Sequence, residues 1–451
     1  RISEENFFKN SSISSWFSNL KLRASYGMMG DDNLGGLYPD FAYLSGYTYY
    51  KGQSLMPDDP FSSVKSKKVI GSAPKGIPVT TISWMKIKLM NVGIDFGFFD
   101  NRLTGEFDLF KRMRDGIPGT PSDIMFPLET GLSALPENMN SDMTVGFDAF
   151  VKWNDKVGDL KYSVGANITF ARQKNGKRHG EIFGNAWDKY RWAQSNRWSN
   201  VVLNTDQGNA GGVWMWEVIG RFETQEQIDS YPVDQDGQNN ATVRPGDVIL
   251  RDVNGDGIIN DFDERPQAYA SADWPWDSST SNKNPLISMG INLGFEWKGF
   301  DVAADFAGGF KNTFVADWDL KWGVTRSVNG YYYNNIDVWR HEDIFDPKSP
   351  WIPGKFPALR GQESHSGRWW NSFYTREVNY LRLRNLVVGY SLPKNWIRKV
   401  GMEQCRIYFQ GTNLFCLSSL HDYGFDPEIS TVNGQDYPQH KVLTLGVNVK
   451  F

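Results

Sequence analysis

Residues Leu160–Ala171 read Leu-Lys-Tyr-Ser-Val-Gly-Ala-Asn-Ile-Thr-Phe-Ala, and Leu286–Trp297 read Leu-Ile-Ser-Met-Gly-Ile-Asn-Leu-Gly-Phe-Glu-Trp. In the first, Tyr162, Val164, Ala166, Ile168 and Phe170 fall on one side of an extended chain, with Lys161, Ser163, Gly165, Asn167 and Thr169 on the other. In the second, Ile287, Met289, Ile291, Leu293, Phe295 and Trp297 oppose Ser288, Gly290, Asn292, Gly294 and Glu296. A strict period of two marks a strand with one apolar and one polar face. The polar side is built from Gly, Ser, Asn and Asp, residues small enough to line water rather than a packed core. The same alternation recurs in 92–98, 103–109, 143–153, 300–310, 386–392 and 443–451.

Working outward gives ten strands, near 20–29, 85–99, 101–114, 142–154, 159–172, 286–298, 300–311, 377–393, 402–416 and 440–451. Short turns alternate with long connections. The turns lie at Asp100-Asn101, 154–158, Lys298-Gly299 and 393–401; the long connections are 30–84, 115–141, 173–285, 312–376 and 417–439. An up-and-down antiparallel sheet with every long loop at one end is the layout of a transmembrane β-barrel of the outer membrane, its short turns periplasmic and its long loops extracellular. Strands of this length span a bilayer when tilted. The final strand ends on Phe451 with Leu443, Leu445, Val447 and Val449 on the same face, which is similar to the terminal signal read by barrel-assembly machinery.

Bulk composition agrees only after this sorting. The chain has 451 residues, 22% charged and 15% aromatic, with a net charge of −4 and a mean hydropathy of −0.49. By length alone it would be about three soluble domains. The charge balance speaks against nucleic acid as a partner. No apolar run reaches the roughly 18 residues of a membrane helix. The chain opens on Arg1 without a signal-peptide pattern, as a cytosolic product or as a processed or partial chain. Cys405 and Cys416, taken as members of one strand, would stand roughly 36 Å apart and so would be free thiols.

These segments bring a family into view. Leu20-Lys-Leu-Arg-Ala-Ser-Tyr-Gly27, Asn91-Val-Gly-Ile-Asp95, Glu137-Asn-Met-Asn-Ser-Asp142, Gly146-Phe147, Pro245-Gly-Asp-Val248, Asp252-Val-Asn-Gly-Asp-Gly-Ile258, Lys298-Gly-Phe-Asp301, Asn413-Leu-Phe415 and Leu445-Gly-Val-Asn-Val-Lys-Phe451 follow one another almost end to end. In order and spacing they resemble the C-terminal part of SusC/RagA-type TonB-dependent transporters of Bacteroidetes. The resemblance implies that 1–451 is the C-terminal half of a 22-stranded barrel, with a plug domain and the earlier strands outside this chain. It also implies import of oligosaccharides or peptides, a SusD-like lipoprotein as lid, TonB acting through the plug, a lipid bilayer around the barrel, and possible pairing of two transporter–lipoprotein units.

Two sets of candidate residues follow. Asp252, Asn254, Asp256, the carbonyl of Ile258, Asn260 and Asp263 match a calcium loop, with oxygen donors at positions 1, 3, 5, 7, 9 and 12 and Gly257 at the turn. The departure is Asp263 where a longer Glu normally closes the site. A self-bonded Asx turn is the competing reading. The connections 173–285 and 312–376 hold 13 of the 18 tryptophans. Among these, Trp187, Trp214, Trp216, Trp274, Trp276, Trp322, Trp369 and Trp370 are candidates for contact with sugar rings, against a purely structural role in stapling the loops. Trp84, Trp153, Trp297 and Trp396 sit near strand ends and suit a membrane girdle.

No enzyme is expected. The five His include no H-E-x-x-H pair, and neither a nucleophile elbow nor a phosphate loop is present. A self-contained ten-stranded barrel enzyme and a soluble glycan-binding β protein are the rival readings. Pairing of the first strand with the last would favour the former.

Overall fold

A computed structural model describes residues 2–12, 16–32, 43–53, 69–74, 77–81, 83–121, 127, 134–177, 186–187, 189–190, 213–268, 285–315, 337–358, 371–421, 424–428, 437 and 439–451. One antiparallel sheet dominates. Its strands are β1 (Phe17–Asp31), β2 (Met85–Phe98), β3 (Leu103–Gly119), β4 (Glu137–Val157), β5 (Leu160–Asn175), β6 (Ile287–Trp297), β7 (Phe300–Val315), β8 (Thr375–Ser391), β9 (Gln404–Thr412) and β10 (Val442–Lys450). They hydrogen-bond in chain order, so the sheet is a plain meander. All ten strands read from the sequence are present in the expected order. Among the described residues β1 pairs with β2 and β10 with β9, and the two do not pair with each other. The sheet is open, against the closed ten-stranded rival.

Register keeps like beside like. Gly165, Asn292, Asp305, Asn385 and Thr412 form one cross-strand row on the polar face. The Asn292 amide donates to Asp305 at 2.7 Å. One residue along each strand, Val164, Leu293, Ala304, Leu386, Gly411 and Leu443 form the matching row on the apolar face. A slip by one would exchange the faces. Ion pairs occupy the polar face: Arg23 holds both Asp95 and Asp108, and Arg406 holds Asp301.

The apolar face of β2 runs from Phe98 through Phe96, Ile94 and Val92 to Met90, then turns polar at Lys88 and Lys86. On the opposite side of the same strand Ile87 and Met85 become buried. That stripe is about 26 Å along the strand, which at a barrel tilt of about 40° stands about 20 Å tall within a lipid-facing band of about 25 Å. An aromatic rim closes the band at the short-turn end, where Trp153 lies 6.0 Å from Phe99 and Phe300 lies 4.4 Å from Tyr390. No described helix is long and apolar enough to cross a membrane.

The β6–β7 turn needs only two residues. Lys298 (φ 47°) and Gly299 (φ 90°) are both left-handed, as a type I′ turn demands.

One strand departs from the expected 402–416. Asn413 adopts φ 54°, a conformation Asn tolerates better than most residues. The chain bulges there and resumes as Cys416–Ser418, pairing with β8 instead of β10. Cys405 and Cys416 therefore lie on separate segments, which corrects the single-strand reading; both are free.

Compact apolar cores lie outside the sheet plane. Trp216, Val248, Leu250 and Ile259 form one, and Phe222, Ile228, Val243 and Ile249 another. Both belong to residues 213–268, a small module within the long connection between β5 and β6. Its elements are short: Val213–Met215 pairs with Arg265–Ala268, and Val218–Arg221 with Val248–Leu250.

Candidate functional site

The module is held by carboxylates that cap backbone N–H groups. In the first turn, Asp234 accepts from the N–H of Asp236 and Gly237. Asp236 accepts from Gln238 and Asn240 on one oxygen, and from the N–H and hydroxyl of Thr242 on the other. In the second, the two oxygens of Asp252 accept from Gly255 and Gly257, and Asp256 accepts from Ile258. A parallel bridge joins the turns: Asp234 N–H donates to Gly257 and Ile259 N–H to Asp234, both at 2.9 Å. Ile259 is thereby driven into the core, fully buried.

Asp236 is a buried charge made tolerable by its donors. Burial works against its ionised form, but the Thr242 hydroxyl and the N–H groups of Thr242, Gln238 and Asn240 outweigh it and hold the carboxyl at about 2 against an ordinary 3.8. Between these values the unfolded chain takes up the proton first. The contribution is therefore complete above pH 3.8 and is lost as pH falls through about 2, amounting to about 2 kcal/mol. Acid titration of amide exchange in 234–242 should show this loss, and Asp236→Asn should flatten it. An unchanged profile in the variant would remove the assignment.

The residues of the expected calcium loop come together in part. The Asn254 and Asn260 amides both donate to Asp256 Oδ2, at 2.9 and 3.3 Å, and Asn260 also lies 3.5 Å from the Ile258 carbonyl. The Ile258 N–H, then Asn254, lower the Asp256 carboxyl below its ordinary value, against a smaller opposing effect of desolvation. Asp263 stands apart. It is fully buried, and its two oxygens take the N–H groups of Val253 and Asn260, so it closes the loop covalently distant but hydrogen-bonded. Among the described residues no three His, Cys, Asp or Glu side chains gather as a metal site. The donor set that fits a hard cation here is Asp252 and Asp256 with amide and carbonyl oxygens.

Of the tryptophan candidates, Trp187 lies against this loop. It stacks on Tyr190 at 5.3 Å, meets Phe262 edge-on at 5.5 Å, and carries the Arg265 guanidinium 5.5 Å from its ring. Tyr190 and Phe262 are about half exposed, so two rings face outward over Trp187. Tyr190, Phe262 and Arg265 were not picked out in the sequence; an aromatic inside the Asp-rich loop, Phe262, was the available signal. Trp216 is a core residue whose indole N–H donates to the Asn260 carbonyl at 2.8 Å. Trp214 pairs with Pro266 through its backbone. Trp274, Trp276, Trp322, Trp369 and Trp370 lie outside the described residues.

The second long connection, between β7 and β8, completes the site by docking on the module. Trp216 bridges to Asn371, and the Ser372 N–H donates to the Trp216 carbonyl at 2.9 Å. Arg221 bonds the carbonyls of Gly354 and Lys355 and lies 4.6 Å over the Phe373 ring. Gly246 has φ 91°, and a β-carbon there would fall 2.3 Å from the Trp339 side chain, so close approach of the two connections requires glycine. Beyond this junction a hairpin projects Ile344 and Phe345, 71% and 88% exposed. Its base is braced by His341 Nδ1 on the Ser349 carbonyl and by the His341–Trp351 ring contact.

No family model matches the chain. Over its whole length it is 23% identical to the TonB-dependent receptor SusC of Bacteroides thetaiotaomicron and 23% identical to the TonB-dependent receptor P39 of Formosa agariphila, covering 39% and 42% of those proteins. In fold it superposes on a structure of the RagAB peptide transporter with a TM-score of 0.61 at 20% identity, covering 99% of this chain and 42% of that one. The chain thus spans about two fifths of the length of the relatives it matches. In sequence and fold it fits a partial barrel of the SusC/RagA type.

Proposed function

We propose that this chain forms the C-terminal half of the barrel of an outer-membrane, TonB-energised importer of oligosaccharides. The plug on which TonB acts and the remaining strands would come from the rest of a longer protein. The long connections would face outward, where a SusD-like lipoprotein closes over them. The observation that carries this reading is the sheet itself: an open meander, polar on one face, with an apolar stripe about 26 Å long along the strand on the other, in a chain similar from end to end to TonB-dependent receptors. The named relatives are receptors and transporters rather than enzymes.

The half-exposed rings of Tyr190 and Phe262, packed on Trp187, support a glycan as substrate, since flat apolar faces suit sugar rings. The test is binding of purified oligosaccharides and peptides to the full-length transporter with its lipoprotein. Tyr190→Ala with Phe262→Ala should weaken glycan binding about tenfold, on the scale of losing two aromatic contacts. Binding of peptides alone would overturn the glycan reading. The mass of the same complex reports whether two transporter–lipoprotein pairs associate.

The loop Asp252–Asp263 takes up calcium in this proposal, with Asn254 and Asn260 turning their amide oxygens inward. The ion would clamp the module in shape. Calorimetric titration should give heat that disappears in Asp252→Ala and Asp256→Ala; equal heats in all three proteins would dismiss the site.

A further inference from the structure

The end of the sheet with the short turns carries an exposed basic corner. Between β8 and β9 the chain makes a helical turn, Lys394–Ile397, followed by a tighter one, Arg398–Val400. The turn is anchored from below. Ile397 is buried at 3% exposure, the Met402 N–H donates back to the Ile397 carbonyl, and Gly401 closes the turn at φ 76°. This anchoring leaves Lys394, Arg398 and Lys399 exposed, with Trp396 65% exposed beside them. The neighbouring β6–β7 turn is tied on through the Ser391 N–H to the Gly299 carbonyl at 2.8 Å. It adds Lys298, whose ammonium lies 5.3 Å over the Trp297 ring.

Three other cations at this end have acidic partners: Arg102 with Asp155, Lys161 with Glu296, and Lys450 with Glu403. Among the described residues, Lys298, Lys394, Arg398 and Lys399 have no ion-pair partner. Four uncompensated cations therefore sit directly beyond an aromatic rim of exposed Trp297 and Phe300, with Tyr390 half-buried against Phe300. Tryptophan prefers the boundary between hydrocarbon and water. Arginine and lysine just outside that boundary are attracted to anionic headgroups, arginine with paired donors that match a phosphate.

We propose that this corner is a binding site for an anionic phospholipid, its phosphate held by Lys298, Lys394, Arg398 and Lys399 and its glycerol region resting on Trp396. The proposal rests on the membrane-spanning reading above. It names the lipid class that the barrel selects in the leaflet at its short-turn end.

The experiment uses the full-length transporter in nanodiscs of phosphatidylethanolamine with phosphatidylglycerol, and native mass spectrometry counts the lipids retained. Heat-modifiable migration of the same samples reports barrel insertion. The intact protein should retain phosphatidylglycerol at least about tenfold over its share in the disc, the scale of one to two fully engaged interfacial cations. Lys298→Gln, Lys394→Gln, Arg398→Gln and Lys399→Gln together should abolish that enrichment without affecting migration. Trp396→Ala should lower retention of both lipids. Unchanged enrichment in the fourfold variant overturns the proposal. Displacement of the lipid by inorganic phosphate also overturns it, in favour of a free-phosphate site. Absence of insertion refutes the membrane reading and this site with it, whereas insertion without enrichment refutes the lipid site alone.

Discussion

Phe222→Ala is expected to unfold residues 213–268 while leaving the ten-stranded sheet in place. Phe222 is fully buried, meets Tyr231 edge-on at 5.1 Å, and packs with Ile228, Val243 and Ile249. Truncating a buried phenylalanine costs about 3–5 kcal/mol. A module this small has little reserve, since even whole domains are stable by only about 5–15 kcal/mol. Hydrogen exchange should show protection lost throughout 213–268 and kept in β5 and β6. The docked segment 371–373 should also loosen, because its partner Trp216 is released. Persisting protection of Leu250 and Ile259 would mean that the two small cores fold independently of each other.

The second large effect is expected at Arg382, whose side chain on β8 is 5% exposed. Its Nη2 lies 2.6 Å from both oxygens of Asp426, and its Nε lies 3.4 Å from Glu428. Glu428 is also held by Arg384 and by the Gln439 amide. The connection 417–439 is thus tied to the sheet wall through charge, and Phe425 packs alongside on Phe314. Arg382→Ala leaves Asp426 without its counter-ion and removes the weaker of the two cations on Glu428, a loss of about 3 kcal/mol. Amides of 424–428 should then exchange at nearly unprotected rates. Asp426→Asn should cost less, because Glu428 remains to face the guanidinium. Equal protection in Arg382→Ala would show that the apolar contact of Phe425 holds the segment unaided.

The sheet was legible because its information is local. Alternation in Leu160–Ala171 or Leu286–Trp297 depends on neighbours two apart, and Lys298-Gly299 announces its own turn. The break at Asn413 is different. It is stabilised by the Asn413 N–H on the Arg384 carbonyl and the Leu383 N–H on Phe415, contacts that involve the preceding strand and leave no period in the sequence. The site was half legible for the same reason. The spacing of Asp252 to Asp263 marked a loop rich in oxygen donors. It did not reveal that Asp263 spends both oxygens on the backbone, nor that Asp234 and Asp236 build a second turn bridged to the first. Trp216 looked like its surface-loop neighbours, yet its indole N–H is taken by the Asn260 carbonyl and its backbone bridges to Asn371, more than a hundred residues away.

The two-residue turn at Lys298-Gly299 has a consequence for how such a protein can change over generations. An added residue there would shift β7 against β6 and exchange their faces, so variation by insertion is closed at that turn. Insertions between β5 and β6 or between β7 and β8 leave every strand register untouched. Lineages of this architecture can therefore remodel the module and its junction freely over an unshifted wall, and their history should be written as length differences in the long connections and point substitutions at turns like this one.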